Sequence, residues 1–137
     1  MRVFLDANIL WSAAHHRGAV RVLLEQLQAA GHRLVADGFV VEEAARNLPA
    51  SAQDRLQDLL ESVEVGPSPA HSPRLPGHGL PEKDIPVLRA AIALRCDCLV
   101  TGDRRHFGHL MGRRVEGVRV LATADAADLL PPTDSRR

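Results

Sequence analysis

The sequence predicts an α/β fold built on a mainly parallel sheet with right-handed crossovers. Three observations carry this. The run Cys98-Leu99-Val100-Thr101 is short, apolar and β-branched, and Gly102 stops it. Such a run marks a strand buried on both faces, as in parallel sheets. The amino terminus repeats the design, with Val3-Phe4-Leu5 ending at Asp6 as the later run ends at Asp103. Between them the apolar residues fall at helical spacing, so strands alternate with helices.

Composition bounds the answer. The 137 residues predict one domain over 1–130 and a loose polar tail over 131–137. Tyr is absent and there is one Trp, so the core is mostly Leu, Val and Ala. Lys+Arg and Asp+Glu are both 17, which excludes strong global attraction to nucleic acid but leaves room for a local basic patch. Cys96 and Cys98 have the spacing of neither a zinc pair nor a thioredoxin pair and read as small buried hydrophobes in a reducing compartment. No apolar run is long enough to span a bilayer and no signal peptide is evident, so the expectation is a cytoplasmic protein with no membrane partner.

Arg2–Leu5 is the first strand, Asp6-Ala7-Asn8 turns, and a helix runs over Ile9–Ala14 with Asn8 as a candidate N-cap or as a support for a metal site. His15-His16 is a weak metal pair, because adjacent helical residues diverge by about 100°. Ala19–Ala30 is amphipathic through Val20, Leu23, Leu24 and Leu27, with Gly31 as its stop. Arg33–Ala36 is a strand, and Asp37-Gly38 turns into a helix over Phe39–Leu48 that Pro49 ends. On that helix Glu43 lies at the margin of the buried side, whereas Glu42 lies nearer the solvent side.

Ser51–Glu61 is a further helix, with Ser51 and Asp54 as its cap arrangement. Val63–Val65 predicts a short strand. The stretch 66–81, thick with Pro, Gly, Ser and His, predicts a loop. In the helix over Lys83–Arg95, Asp84 sits amid the apolar stripe, so it either caps the helix, with Pro86 in the first turn, or faces a cavity that holds a cation. Arg104–Phe107 begins a short helix or turn, Val118–Leu121 is a strand, and Thr123 caps a last helix over Ala124–Leu130.

The chemistry rests on Asp6 and Asp103 at strand ends and on Glu43 and Asp84 on inward helix faces. Ligands bind at the carboxyl edge of an open α/β sheet. Converging carboxylates repel and raise one another's pKa, and a divalent cation relieves this. Carboxylate oxygens suit Mg²⁺ and Mn²⁺, and a set without His or Cys disfavours zinc. Such a site suits phosphoryl transfer by metal-activated water, with one ion or two. The segment Arg104, Arg105, His106, His109, Arg113 and Arg114 beside Asp103 is either a phosphate-binding surface or an ordinary solvated face.

At these residues the chain resembles the PIN domain family, which includes the VapC-type toxins of toxin–antitoxin pairs. The resemblance is carried by Val3-Phe4-Leu5-Asp6-Ala7-Asn8-Ile9-Leu10, Glu42-Glu43-Ala44-Ala45-Arg46-Asn47-Leu48, Glu82-Lys83-Asp84-Ile85-Pro86-Val87-Leu88 and Leu99-Val100-Thr101-Gly102-Asp103, in this order. It implies a three-layer sandwich, with helices on both faces of the sheet, and a metal-dependent endoribonuclease. By motif position Asp6, Glu43, Asp84 and Asp103 are the catalytic acids, Asp6, Asp84 and Asp103 hold Mg²⁺ or Mn²⁺, Asn8 and Thr101 support them, and Arg104 and Arg105 meet RNA phosphate. The implied partners are RNA, a small antitoxin and a second copy of the chain. Asp37 departs from the Ser or Thr frequent at its position, and the 66–81 loop is unusually rich in proline.

Two other readings compete. A receiver-like Mg²⁺-binding regulatory domain wants an acidic pair near the amino terminus and a late lysine, but Asp6 stands alone there and Lys83 is the sole lysine. A catalytically silent RNA- or protein-binding module has no need of the four acids.

Overall fold

The structure is a computed structural model that describes residues 1–68 and 79–131. Six strands form one sheet in the order β3-β2-β1-β4-β6-β5, where β1 is Arg2–Leu5, β2 Arg33–Asp37, β3 Glu64–Gly66, β4 Cys98–Val100, β5 Arg114–Val115 and β6 Val118–Leu121. Every neighbouring pair is parallel except β5 and β6, which form an antiparallel hairpin. The expected α/β class, with its mainly parallel sheet, is the one the chain adopts. Val3–Leu5 on β1 and Cys98–Val100 on β4 are buried throughout, as strands covered on both faces must be. β1 and β4 are neighbours, with Leu5 opposite Val100. That register brings the residues after each strand, Asp6 and Thr101 to Asp103, to one sheet edge.

The helices are α1 (Ala7–His15), α2 (Ala19–Ala29), α3 (Gly38–Asn47), α4 (Gln53–Leu60), α5 (Ile85–Ala93), α6 (Arg104–Phe107) and α7 (Thr123–Ala126). Among the described residues, none is long and apolar enough to cross a membrane. Gly31 follows α2 at φ +92°, a conformation that costs glycine nothing. Cys96 and Cys98 are both free and buried, and burial pushes the Cys96 thiol up to about 12, so it is inert at neutral pH.

Several local expectations are corrected. Asn8 does not cap α1; Asp6 does, its Oδ1 accepting from the Ala7 amide at 2.8 Å. The acid already at the strand end takes the cap, and Asn8 enters the helix. Ser51 and Asp54 make no cap: Ala50–Ala52 forms a 3₁₀ turn after Pro49, and α4 follows it without a side-chain cap. Thr123 likewise lies inside α7, which starts from Ala122 without a side-chain bond, and Ala127–Leu129 turns to 3₁₀. The third strand runs Glu64–Gly66, one residue later than expected, because the Val63 amide bonds back to Leu60 O at 3.1 Å in the turn that ends α4. β5 was hidden by its length of two residues. Residues 69–78 of the expected 66–81 loop and 132–137 of the expected tail lie outside the described residues.

Asp37 ends β2 and is almost fully buried. Its Oδ1 caps α3 by accepting from the Val40 amide at 3.1 Å, and its Oδ2 accepts from the Ser68 hydroxyl at 2.9 Å. Asp37→Ala therefore costs about 1–2 kcal/mol in urea denaturation, while Ser51→Ala, which removes no cap, stays within about 0.5 kcal/mol. Equal losses in the two variants would contradict the assignment of the cap.

Candidate metal centre at the carboxyl edge of the sheet

Asp6 and Asp103 are tied together through Thr101. The Asp6 amide donates to Val100 O at 3.1 Å, which continues the β1–β4 ladder by one residue. The Thr101 hydroxyl donates to Asp6 Oδ2 at 2.8 Å and accepts from the Asp103 amide at 3.1 Å. Asn8 closes the link: Nδ2 reaches Asp6 Oδ2 and Thr101 Oγ1, both at 3.3 Å, and Oδ1 accepts from the Gly102 amide at 2.8 Å. Asn8 and Thr101 thus fix the two strand ends relative to each other, and neither needs a place at an ion to matter.

α5 brings Asp84. Glu82–Asp84 forms a 3₁₀ turn, and Asp84 stands at the N-cap position of α5 but makes no capping hydrogen bond. Of the two roles open to it in sequence, capping therefore falls away. α3 brings Glu43, which is half-buried, whereas Glu42 is exposed. Asp6, Glu43, Asp84 and Asp103 line one cavity of about 520 Å³, together with Asn8, Trp11, Ser12, Asn47, Lys83 and Val87 among others.

The electrostatics follow from burial. Asp6 is 6% exposed, and its pKa is pushed up to about 6 from an ordinary 3.8. Burial is the main cause, the hydrogen bonds from Thr101 and Ala7 oppose it, and the charges of Glu43 and Asp84 add to it. Asp84 is raised as well, chiefly by burial, with His106 and Lys83 lowering it and Asp103 raising it.

His106 belongs to this centre. Its Nδ1 lies 2.9 Å from Asp84 Oδ2 and 2.8 Å from Asp103 Oδ2. Neither Nδ1 nor Asp84 Oδ2 has a hydrogen bond of acceptable geometry, although both atoms are buried. One ligand-capable atom from each of Asp84, Asp103 and His106 lies within 4.8 Å of the other two. Two carboxylate oxygens and an imidazole nitrogen gathered this closely fit a divalent cation when the nitrogen carries its lone pair.

The sequence expectations are met unevenly. The four acids come to one cavity, but the tight group is Asp84, Asp103 and His106, with Asp6 beside it. The group of residues that could hold an ion, expected to lack histidine, includes one. The signal was its place three residues after Asp103, on the same helical face. Arg104 and Arg105 are exposed and do not line the cavity; its wall carries Lys83 as the cation. Trp11 was also missed. Its Nε1 donates to Asn47 O at 3.1 Å and its ring stacks on His15 with centroids 4.4 Å apart.

Comparison with known proteins places the chain in a family. Residues 2–105 match the family model of the PIN domain, and the chain belongs to that family. Among solved structures, the chain is similar to one in the crystal structure of VapBC2 from Rickettsia felis bound to a DNA fragment from their promoter. The TM-score is 0.65 at 18% identity, over 89% of this chain and 98% of that one, which shows a shared fold. A search of curated proteins gives no match.

Because the Asp6 carboxyl holds its proton more tightly folded than unfolded, it contributes stability that is full below about pH 4 and lost as pH rises through about 6. Without metal, the Asp6 carboxyl is therefore expected to titrate near pH 6, which carboxyl-carbon NMR of the chelator-treated protein checks; a midpoint near the ordinary 3.8 would contradict it.

Proposed function

We propose that the chain is a divalent-metal-dependent endoribonuclease and the toxin of a toxin–antitoxin pair. The observation that carries the reading is the convergence of Asp6, Glu43, Asp84 and Asp103 on one cavity at the carboxyl edge of the sheet. Membership in the PIN domain family supports the nuclease class. The likeness to a chain of VapBC2 supports an antitoxin as partner.

Asp84 and Asp103 would hold the ion, Mg²⁺ or Mn²⁺, one or two, through the Oδ2 atoms that both turn toward His106 Nδ1. Asp6 has four lone-pair sites and already accepts three hydrogen bonds, so it adds charge and at most one ligand bond. When bound, such an ion lowers the pKa of the attacking water and stabilises charge on the phosphate. Glu43, which lines the cavity from α3, would orient that water and accept its proton. Lys83 is the nearer candidate to meet phosphate, with Arg104 and Arg105 outside the cavity to hold the flanking RNA backbone.

RNA incubated with the protein and Mn²⁺ is expected to be cleaved, with Asp84→Asn reducing the rate at least ~100-fold while its thermal transition stays near that of the parent. Equal cleavage by both proteins would end the assignment. A folded parent that binds RNA without cutting it would favour the silent binding module.

A further inference from the structure

We propose that His106 is itself a ligand of the ion, through Nδ1, and that this nitrogen makes the centre select Mn²⁺ over Mg²⁺. The inference rests on the metal-dependent reading above and deepens it.

Asp103 divides its two oxygens between two tasks. Oδ1 accepts from the His106 amide at 3.0 Å and starts α6, while Oδ2 faces His106 Nδ1 at 2.8 Å. The cap thus fixes the imidazole and the carboxylate against each other through one turn of backbone. Asp84 comes from a different element and presents Oδ2 to the same nitrogen at 2.9 Å. Neighbouring ligands around an octahedral ion with bonds of ~2.1 Å lie ~3 Å apart, so both separations suit atoms sharing an ion, as they also suit a charge-assisted ion pair.

A simple ion pair explains the arrangement less well. A protonated His106 has an N–H at Nδ1, and one of the two close carboxylates should accept it. Instead Nδ1 and Asp84 Oδ2 are both buried without a hydrogen bond. With a lone pair at Nδ1 and an ion between the groups, neither atom is left unsatisfied. The consequence for metal choice follows from ligand chemistry. Mg²⁺ prefers oxygen and gives up its water reluctantly. Imidazole nitrogen suits transition metals better than Mg²⁺; a histidine in the set also removes the ground on which zinc was disfavoured, so the nitrogen separates Mn²⁺ from Mg²⁺ but not from zinc.

The test uses the full chain, titrated calorimetrically with MnCl₂ and with MgCl₂, and pulsed EPR of the Mn²⁺-loaded protein to detect coupling to ¹⁴N. The parent is expected to bind Mn²⁺ at least ~10-fold tighter than Mg²⁺ and to show ¹⁴N coupling. His106→Ala should lose that coupling and about 10–100-fold in Mn²⁺ affinity, with Mg²⁺ affinity changed less than about threefold. Asp84→Asn should weaken both ions. No saturable Mn²⁺ site in the parent, or unchanged binding in Asp84→Asn, overturns the metal-dependent reading and this inference with it. An Asp84-dependent Mn²⁺ site without ¹⁴N coupling, or equal losses for both ions in His106→Ala, overturns the nitrogen ligand alone.

Discussion

The constraint on which the structure turns is the hydroxyl of Thr101. Lying just past β4, it donates to the carboxylate that ends β1 and accepts from the amide of the residue that starts α6. Two strand ends, one helix cap and two acids are therefore held by a single buried side chain. Asp6 can stay buried beside other carboxylates because three hydrogen bonds reach its oxygens. The bonds from Thr101 and Ala7 hold its pKa near 6 rather than higher, and the remaining excess of negative charge makes the pocket receptive to a cation.

Carboxylates from distant parts of the chain meet because the topology has no other place to put them. β1 and β4 are central neighbours, so whatever follows each lands on one edge. α3 and α5 flank that edge and add Glu43 and Asp84. Asp37, at the end of β2, lies outside the centre: β2 sits one strand beyond the β1–β4 pair, and the Asp37 oxygens go to Val40 and Ser68.

Much of this was legible in the sequence. The apolar runs at Val3–Leu5 and Cys98–Val100 predicted buried parallel strands, and an acid directly after such a run is placed by the strand itself. Asp84 stood out because a charge amid an apolar stripe needs a reason, and the missing capping bond removes one of the two reasons available. What stayed hidden was orientation. His106 reads as one more basic residue in a basic segment until α6 is seen to turn it back onto Asp103 and toward Asp84, while Arg104 and Arg105 on the same turn are carried out to solvent. Caps were misread at Asn8, Ser51 and Thr123 for a related reason. Residue type suggests a cap, but where the chain enters the helix decides which side chain can reach a free amide.

The central claim is that Asp84 and Asp103, assembled with Asp6 at one sheet edge, form a seat for a divalent cation. Anomalous diffraction from crystals soaked in Mn²⁺ tests it most directly. A manganese peak in contact with both Asp84 and Asp103 is the predicted result. A cavity with no peak, or manganese bound only at some other surface of the molecule, would contradict it.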